Sequence, residues 1–274
     1  MEDRSSVVPR LPLLHYSTTP ALLILTMKYE WKDAGEEWSE RWGTSAAQWS
    51  GTISPRIKEW LPVSTILEIG PGYGRWTHYL KDYCDRLLIV DRAAECIEAC
   101  QQRFAAEPKV TGYVNQGGSL AMIPNESVDF VFSFDVFVHI KREVVEEYMK
   151  EFSRTLKPGG RGFIHHSNLA AYDNSPRRRL PSALTKVLIK WHVLDEDHHR
   201  TPSMSAELFR TLGSRHGLHC LKQELVNWRG RRLIDCFSWF ERSDSPAPPS
   251  TEIIRNPNFM REAAAVRQSS AEVE

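Results

Sequence analysis

The sequence lacks several features that would restrict its class at once. Its five cysteines include no CxxC pair, and no apolar run approaches the ~18–20 residues of a membrane-spanning helix. Lysine and arginine (35) balance aspartate and glutamate (35), so the formal net charge is zero. Scattered cysteines in odd number indicate reduced thiols in a cytosol-like compartment. The zero net charge gives no electrostatic reason to expect binding to nucleic acid or to an anionic membrane.

We do not expect the apolar run near the start of the given sequence to be a secretory signal peptide. Residues 20–27 are apolar, but this run is short and lacks both a basic leading region and a clear small-residue cleavage site. We expect residues 1–27 to form an irregular extension, with Met27 as an alternative translation start. With 41% hydrophobic and 26% charged residues, the composition is that of a globular protein, and we expect it to be cytoplasmic.

Glycines at alternate positions follow a short apolar run and precede a helix. The segment ILEIGPGYGR contains Glu68, then Gly70, Gly72 and Gly74, and ends at Arg75. Glycine lets a ligand approach the backbone closely because it has no Cβ. The dinucleotide pattern GxGxxG needs a glycine where Arg75 stands, so that pattern fails. The segment predicts another kind of nucleotide-cofactor loop, or else an ordinary glycine-rich turn.

Two further apolar runs end in an aspartate. Asp91 follows one of them and lies 21 residues after Gly70, and Asp135 follows another. An acid about 20 residues beyond the first glycine, at the end of the next strand, is placed to hydrogen-bond a ribose diol. Asp91 could also cap the helix that follows it, since aspartate is a good N-cap residue.

A turn with the sequence LKPGG follows at residues 156–160 and leads into an apolar strand. With the glycine loop and the two aspartates, it gives the region from Ile66 to Ser167 a resemblance to the class I S-adenosylmethionine-dependent methyltransferases. The resemblance implies S-adenosylmethionine as cofactor, with the glycines under its methionine part and Glu68 supporting the loop and the cofactor ammonium. It places the adenine contact near Gly118 and Ser119, and it adds Asp135 to the cofactor-binding residues.

Alternating strands and helices predict an α/β fold: a doubly wound, mostly parallel sheet with helices on both faces. The resemblance implies the Rossmann-like methyltransferase fold with seven strands, closed by an antiparallel pair near residues 218–225 and 233–240. We expect the methyltransferase domain to span residues 28–242, with N-terminal helices and a lid insertion at about 168–204. Residues 243–274 read as a disordered tail with a short helix near 259–267.

Tryptophans are frequent between residues 28 and 61. Trp38 and Trp42 are four residues apart, which predicts that they share one face of an α-helix. These aromatic residues could simply pack the N-terminal segment onto the core. In the family that the chain resembles, however, N-terminal helices cover the cofactor and shape the acceptor pocket.

Methylation of a hydroxyl group calls for a general base, because the hydroxyl proton must leave in or near the transition state. His139 follows the strand that leads to Asp135, and His166 ends the next strand. Side chains alternate across a strand, so only one of His165 and His166 faces the cleft, and we expect it to be His166. Alternatively, His139 packs at the start of the following helix.

Magnesium is a further alternative for the catalytic group. Asp135, His139 or His166, and a residue near Asn227 or Asp235 could meet at the strand ends, where an ion would orient two hydroxyl groups.

The runs 133–139 and 162–168 resemble bacterial small-molecule and sugar O-methyltransferases. The resemblance implies methyl transfer to a hydroxyl group of a small molecule, most simply a sugar or glycoside. An N-methyltransferase of a small amine and a non-catalytic cofactor-binding protein are the alternatives. The expected partner is a small hydroxylated acceptor, such as a saccharide, with neither nucleic acid nor membrane; a homodimer is compatible with the sequence.

Overall fold

The computed structural model describes residues 33–173, 180–191, 193–228, 230–243 and 250–271, and of Ala183 only the backbone. The predicted N-terminal extension, residues 1–27, lies outside these residues. Within the described residues, no helix combines the length and the apolar composition that crossing a membrane requires.

A single sheet forms the centre of the protein. Its strands are β1 (Val63–Ile69), β2 (Cys84–Asp91), β3 (Val110–Val114), β4 (Val128–Phe137), β5 (Leu156–Ser167), β6 (Leu218–Val226), β7 (Asp235–Arg242) and β8 (Glu252–Asn256). Their spatial order is β3-β2-β1-β4-β5-β7-β6-β8. Strands β1 to β5 run parallel, and β7 runs antiparallel to both β5 and β6. This arrangement confirms the predicted fold class and the antiparallel closing pair.

Helices flank the sheet. The α-helices are α1 (Ser45–Gln48), α2 (Ser54–Ile57), α3 (Thr77–Leu80), α4 (Ala94–Arg103), α5 (Arg142–Thr155), α6 (Ser182–Lys190), α7 (Ala206–Ser214) and α8 (Phe259–Ala271). A 3-10 helix spans Glu36–Trp42, and a π-helical turn, Trp49–Ile53, joins α1 to α2.

Both faces of the sheet are buried. Ile66 on β1 belongs to one apolar cluster with the N-terminal tryptophans, whereas its neighbour Leu67 belongs to a second cluster with α5 and α7. Near-continuous apolar runs are typical of parallel strands that are covered on both sides. The core therefore lies in two layers, one on each face of the sheet, and the ends of the strands lie at the edge of these layers.

The prediction of a disordered tail at residues 243–274 is wrong for residues 252–271. Strand β8 pairs in parallel with β6 and becomes an eighth strand at the edge of the sheet. Helix α8 includes the predicted short helix, and it buries Phe259 and Ala263. The physical reason is that β6 would otherwise be an unpaired edge strand, and the apolar side chains of α8 find a place in the core.

The prediction that Trp38 and Trp42 share a helical face is also wrong. Trp42 is fully buried, whereas Trp38 is 41% exposed. The helix that carries them is a 3-10 helix with about three residues per turn, so residues four apart point in different directions.

Candidate cofactor and acceptor site

The glycine turn between β1 and α3 is a tightly packed loop that requires glycine. Gly70, Gly72 and Gly74 all have positive φ values, at 72°, 57° and 86°. A Cβ atom at Gly70 would clash with the side chain of Val136, and one at Gly74 would clash with Phe104. The loop therefore depends on glycine both for its backbone conformation and for its packing.

Glu68 is buried beneath this turn with half of its carboxyl group unused. Its Oε2 accepts a hydrogen bond of 2.6 Å from the hydroxyl of Thr77. Its Oε1 is buried and has no hydrogen-bond partner among the described residues. Burial raises the pKa of Glu68 to about 8. A cation placed at Oε1 would complete the hydrogen bonding of this group and favour its ionised form.

Asp91 ties the end of β2 to the glycine turn. Its Oδ1 accepts a hydrogen bond from the amide of Ala93 (2.9 Å), and its Oδ2 accepts one from the amide of Gly72 (3.3 Å). Burial raises the pKa of Asp91. The N-cap residue of α4 is Ala93 rather than Asp91. Asp91 thus supports both the loop and the helix start, and its predicted ribose contact remains a prediction.

The exit of β3 is organised by Asn115, which the sequence analysis did not single out. Its buried amide nitrogen lies 2.8 Å from the hydroxyl of Tyr148 and also contacts the carbonyl of Ser119, while its Oδ1 has no partner among the described residues. The amide of Gly118 donates to Glu147 (2.9 Å). Gly118 and Ser119 therefore lie in an ordered turn, and their contact with adenine remains a prediction.

Ionisable side chains meet at the ends of β4, β5 and β7. Asp135 has a φ of 67°, unusual for a residue other than glycine, and its carboxylate lies 3.7 Å from Arg75 and 3.9 Å from Arg200. The amide of Asp135 donates to His165 Nδ1 at 3.3 Å. His165 Nε2 lies 3.3 Å from Asp235, but without the alignment of a hydrogen bond. We call these five residues the polar cluster.

Arg200 and Asp235 form the buried ion pair of the polar cluster. The guanidinium binds both carboxylate oxygens, at 2.9 and 2.8 Å. Burial alone would raise the pKa of Asp235, but the Arg200 guanidinium outweighs that effect and holds the pKa well below its usual range. Asp235 is therefore an anion at neutral pH and is already paired.

The end of the predicted lid insertion lies beside this cluster. Arg200 belongs to it, and the amide of Thr201 donates to the carbonyl of Val138 (2.8 Å) at the end of β4. The structure thus brings part of the segment 168–204 to the strand ends. Residues 174–179 of this segment lie outside the described residues, and its role as a lid remains a prediction.

His139 lies near the polar cluster, after the end of β4. Its Nδ1 is 2.9 Å from the carbonyl oxygen of His199. A carbonyl can only accept, so Nδ1 carries the proton, and in neutral imidazole Nε2 then carries the lone pair. Burial lowers the pKa of His139, which favours the neutral form. A neutral imidazole with a free lone pair on Nε2 is compatible with a general base, and the catalytic role of His139 remains a prediction.

The predicted orientation of His166 is wrong. The imidazole is fully buried: its Nε2 lies 2.8 Å from the hydroxyl of Ser238, and its ring stacks on Phe209 at 4.1 Å. Burial lowers the pKa of His166 to about 3. His165, the adjacent residue of β5, faces the strand ends instead. Because both nitrogens of His166 lie in the core, we no longer assign it a catalytic role.

The magnesium alternative finds no support. No group of three or more histidine, cysteine, aspartate or glutamate side chains in the described parts of the chain is arranged to hold a metal ion. His166 points into the core, and Asp235 is held by Arg200.

Comparison with known proteins gives a family match over a segment that includes the glycine turn. The family described as "Methyltransferase domain" matches residues 66–160. Phosphoethanolamine N-methyltransferase 3 of Arabidopsis thaliana is 28% identical over 52% of this chain and 31% of its own length. The biotin biosynthesis bifunctional protein of Cellvibrio japonicus is 25% identical over 65% of this chain and 33% of its own. The chain thus spans about a third of the length of these curated relatives.

Solved structures show the same fold at low sequence identity. A Pyrococcus horikoshii protein superposes with a TM-score of 0.53 at 17% identity, covering 72% of this chain and 91% of that one. The N-methyltransferase NodS of Bradyrhizobium japonicum superposes with a TM-score of 0.52 at 15% identity, covering 77% of this chain and 99% of that one.

Proposed function

We propose that this chain, whose residues 66–160 match the family described as "Methyltransferase domain", is a class I S-adenosylmethionine-dependent methyltransferase that methylates a hydroxyl group of a small molecule, such as a sugar or glycoside. In this proposal His139 is the general base that removes the hydroxyl proton. The cofactor supplies an electrophilic methyl group, and every other task falls to the chain's own residues: to position the acceptor, to exclude water and to accept the proton.

Three features of the cofactor side fit S-adenosylmethionine. Gly70, Gly72 and Gly74 form a tight turn with positive φ values at the carboxyl end of β1, the end of a parallel strand at which α/β sheets bind their ligands. The unpartnered Oε1 of Glu68 suits an ammonium group. The carboxylate of Asp91 stands at the end of β2, where a ribose diol would be bound.

The observation that carries the choice of oxygen is the state of His139. A hydroxyl acceptor needs a base that is neutral near pH 7, and the lowered pKa of His139 keeps it neutral there. The hydrogen bond from His139 Nδ1 to the carbonyl of His199 keeps a proton on Nδ1. In this proposal Nε2 is therefore the nitrogen that accepts the hydroxyl proton.

The charge of the polar cluster supports a neutral acceptor. Arg75 and Arg200 offset Asp135 and Asp235, so the strand ends present no excess negative charge to attract an ammonium ion. The site therefore gives a cation no electrostatic advantage in binding over a neutral hydroxylated molecule.

An amine acceptor is the second candidate, and the relatives favour it. The Arabidopsis protein is named a phosphoethanolamine N-methyltransferase, and NodS is an N-methyltransferase. The curated matches cover only part of either chain, so they support methyl transfer more directly than the identity of the acceptor atom. His139 would then deprotonate an ammonium group rather than a hydroxyl group.

A labelled-methyl transfer screen over glycosides, phenols and amines tests the proposal. The variant His139→Gln keeps a donor for the His199 carbonyl but cannot act as a base. We expect it to lower kcat by ~10²- to 10⁴-fold, with activity that rises toward alkaline pH, while S-adenosylhomocysteine affinity stays within about three-fold. The exposed His78 gives the matched control, since His78→Asn should leave both quantities unchanged.

Methyl transfer to amines and to no hydroxyl compound would replace the first candidate by the second. Full activity of His139→Gln on a hydroxyl acceptor would remove the base from the mechanism. Cofactor binding without turnover of any acceptor class would favour the non-catalytic alternative.

A further inference from the structure

Gln48, at the end of α1, is fully buried, and its side chain forms no hydrogen bond with the part of the chain that the structure describes. Neither its amide nitrogen nor its amide oxygen has a partner among the described residues. Burying an amide without partners is unfavourable, and native proteins leave few polar groups in that state. Such a residue is retained either because a ligand completes its hydrogen bonds or because ordered water does.

Unpartnered buried polar atoms concentrate around the candidate site. Glu68, Asn115 and His165 stand at or near the carboxyl ends of β1, β3 and β5, and Trp76 follows the glycine turn. The buried atoms without hydrogen bonds in the described residues are Gln48 Nε2 and Oε1, Glu68 Oε1, Trp76 Nε1, Asn115 Oδ1, His165 Nε2 and His219 Nδ1. Of these residues, Glu68, Asn115 and His165 stand at or near strand ends, Trp76 follows the glycine turn, Gln48 ends α1, and His219 belongs to β6.

Aromatic contacts on one side place the segment around Gln48 against the glycine turn. Trp49, the next residue, stacks on Trp76 with ring centroids 6.4 Å apart and on Tyr79 at 5.1 Å. The indole of Trp76 in turn packs edge-on against Phe134 of β4 at 5.6 Å.

A second chain of contacts leads from the same segment to His165 of the polar cluster. Thr52, one helical turn after Gln48, accepts a hydrogen bond of 2.8 Å from the indole of Trp42. Trp42 packs against Trp228 at 5.8 Å, and Trp228 lies 5.8 Å from the His165 ring. Gln48 therefore belongs to a segment, residues 42–53, that packs on Trp76 and Tyr79 after the glycine turn and, through Trp42, on Trp228 beside His165. We call residues 42–53 the covering segment.

We propose that the Gln48 amide and the Trp76 indole N–H form a polar subsite for the acceptor, and that this subsite selects a neutral molecule with several hydroxyl groups. The proposal rests on the proposed function. The amide offers two N–H donors and a carbonyl acceptor, and the indole offers one donor. Hydroxyl groups can accept from the donors and donate to the carbonyl. An ammonium ion can only donate, so it would leave the three N–H groups unsatisfied.

The first test measures thermal stability and needs no acceptor. Met has a similar length to Gln and carries no strong hydrogen-bonding group, so Gln48→Met removes an unsatisfied buried amide. We expect its Tm to rise by ~2 °C or more, because the desolvation penalty disappears. Gln223 is the matched control: it is also buried, but its amide donates to the Ala206 carbonyl (2.8 Å) and to Ser238 (3.0 Å). Gln223→Met should lower the Tm.

The second test measures turnover with methyl α-mannoside and methyl α-glucoside as hydroxylated probes and ethanolamine as the amine probe. On a methylated glycoside, Gln48→Met should raise KM by ~10- to 100-fold and leave S-adenosylhomocysteine affinity within about three-fold. Gln223→Met should leave KM unchanged.

The outcomes separate the subsite from the function. A Tm that falls in Gln48→Met as it does in Gln223→Met would show a water-satisfied structural amide and overturn the subsite. An unchanged KM on a methylated glycoside would overturn the subsite and leave the proposed function intact. Methylation of ethanolamine alone would overturn the oxygen acceptor and the hydroxyl selectivity together. If the wild type methylates none of the three probes, the Tm of Gln48→Met decides about the subsite. A rise supports it, and a fall overturns it.

Discussion

Glu68 lies in an environment that holds a carboxyl group in its neutral form. The side chain is 1% exposed, and burial raises its pKa to about 8 from 4.5. A folded-state pKa above the unfolded value means that, between these two values, the folded protein binds the extra proton. The cofactor-free protein should therefore lose stability as pH rises from about 4.5 toward 8.

Replacement of Glu68 by Gln should flatten this part of the pH profile. Glutamine stays neutral at every pH. The contribution of Glu68 to the pH dependence of the free energy of unfolding, up to ~1 kcal/mol per pH unit, therefore disappears in Glu68→Gln. Urea unfolding at pH 5.5, 6.5 and 7.5 measures it, and the exposed Glu59 provides the control variant Glu59→Gln. Identical slopes in wild type and Glu68→Gln would show that Glu68 is already ionised in the folded protein.

The same unpartnered carboxyl oxygen links stability to ligand binding. An ammonium group at Oε1 would favour the ionised form, so binding would release a proton. The residue thus lowers the stability of the free protein at neutral pH in a way that a bound cation can reverse.

At the scale of single elements, the glycine turn was predictable from sequence because its signal is local. Glu68, the three glycines and Asp91 all lie within one strand–turn–helix–strand unit, and their spacing alone indicates a ligand loop.

The choice between His165 and His166 could not be made in that way. Strand β5 is covered on both faces, so apolar residues such as Phe163 and Ile164 point to both sides and do not mark the ligand-facing one. The β4–β5 pairing also has a register shift between Ser133 and Phe137. Counting odd and even positions along the sequence therefore does not show which face of the sheet a side chain points to. Only the folded sheet shows which histidine reaches the strand ends.

Two glycines with similar backbone angles separate packing from conformational strain. Gly70 has a φ of 72° and Gly159 a φ of 74°, but a Cβ atom at Gly159 would meet nothing within 4 Å. Gly159→Ala should therefore cost only the left-handed strain of ~1–2 kcal/mol. Gly70→Ala adds the clash with Val136, and it should lower the Tm further and weaken S-adenosylhomocysteine binding. Calorimetry on both variants measures this, and equal losses in the two would show that strain alone restricts Gly70.

At the scale of the whole molecule, the site is assembled from segments that are far apart in sequence. Gln48 comes from the N-terminal helices, Arg200 from the insertion after β5, and Asp235 from the first residue of β7. A carboxylate or an amide at such a position carries no local motif, since its partner lies 35 residues away for Arg200 and Asp235. Sequence analysis could therefore predict the glycine turn and its place at a strand end, but not the Arg200–Asp235 pair or the buried position of Gln48.

The C-terminal segment closes the molecule by returning to the N-terminal helices. The ring of Phe259, at the start of α8, lies 6.0 Å from Trp42, 6.2 Å from Trp228 and 5.3 Å from Phe237. These contacts join the last helix, the first helices and β7 in one core cluster. Helix α8 thus supports the covering segment that carries Gln48, although it lies more than 200 residues later in the chain.

Removal of the Phe259 ring should loosen this closure and weaken acceptor binding more than cofactor binding. Phe259→Ala should cost ~3–5 kcal/mol, because it deletes a fully buried ring and leaves a cavity. Ile253 on β8 is 54% exposed, so Ile253→Ala, the control in the same C-terminal segment, should change stability by no more than ~0.5 kcal/mol.

Urea unfolding gives the stabilities, and KM for the acceptor is compared with S-adenosylhomocysteine affinity. Since the rings that Phe259 contacts are those of Trp42, Trp228 and Phe237 rather than residues of the glycine turn, KM should rise while cofactor affinity changes little. Parallel losses of both would show that α8 supports the whole fold evenly and not the acceptor side in particular.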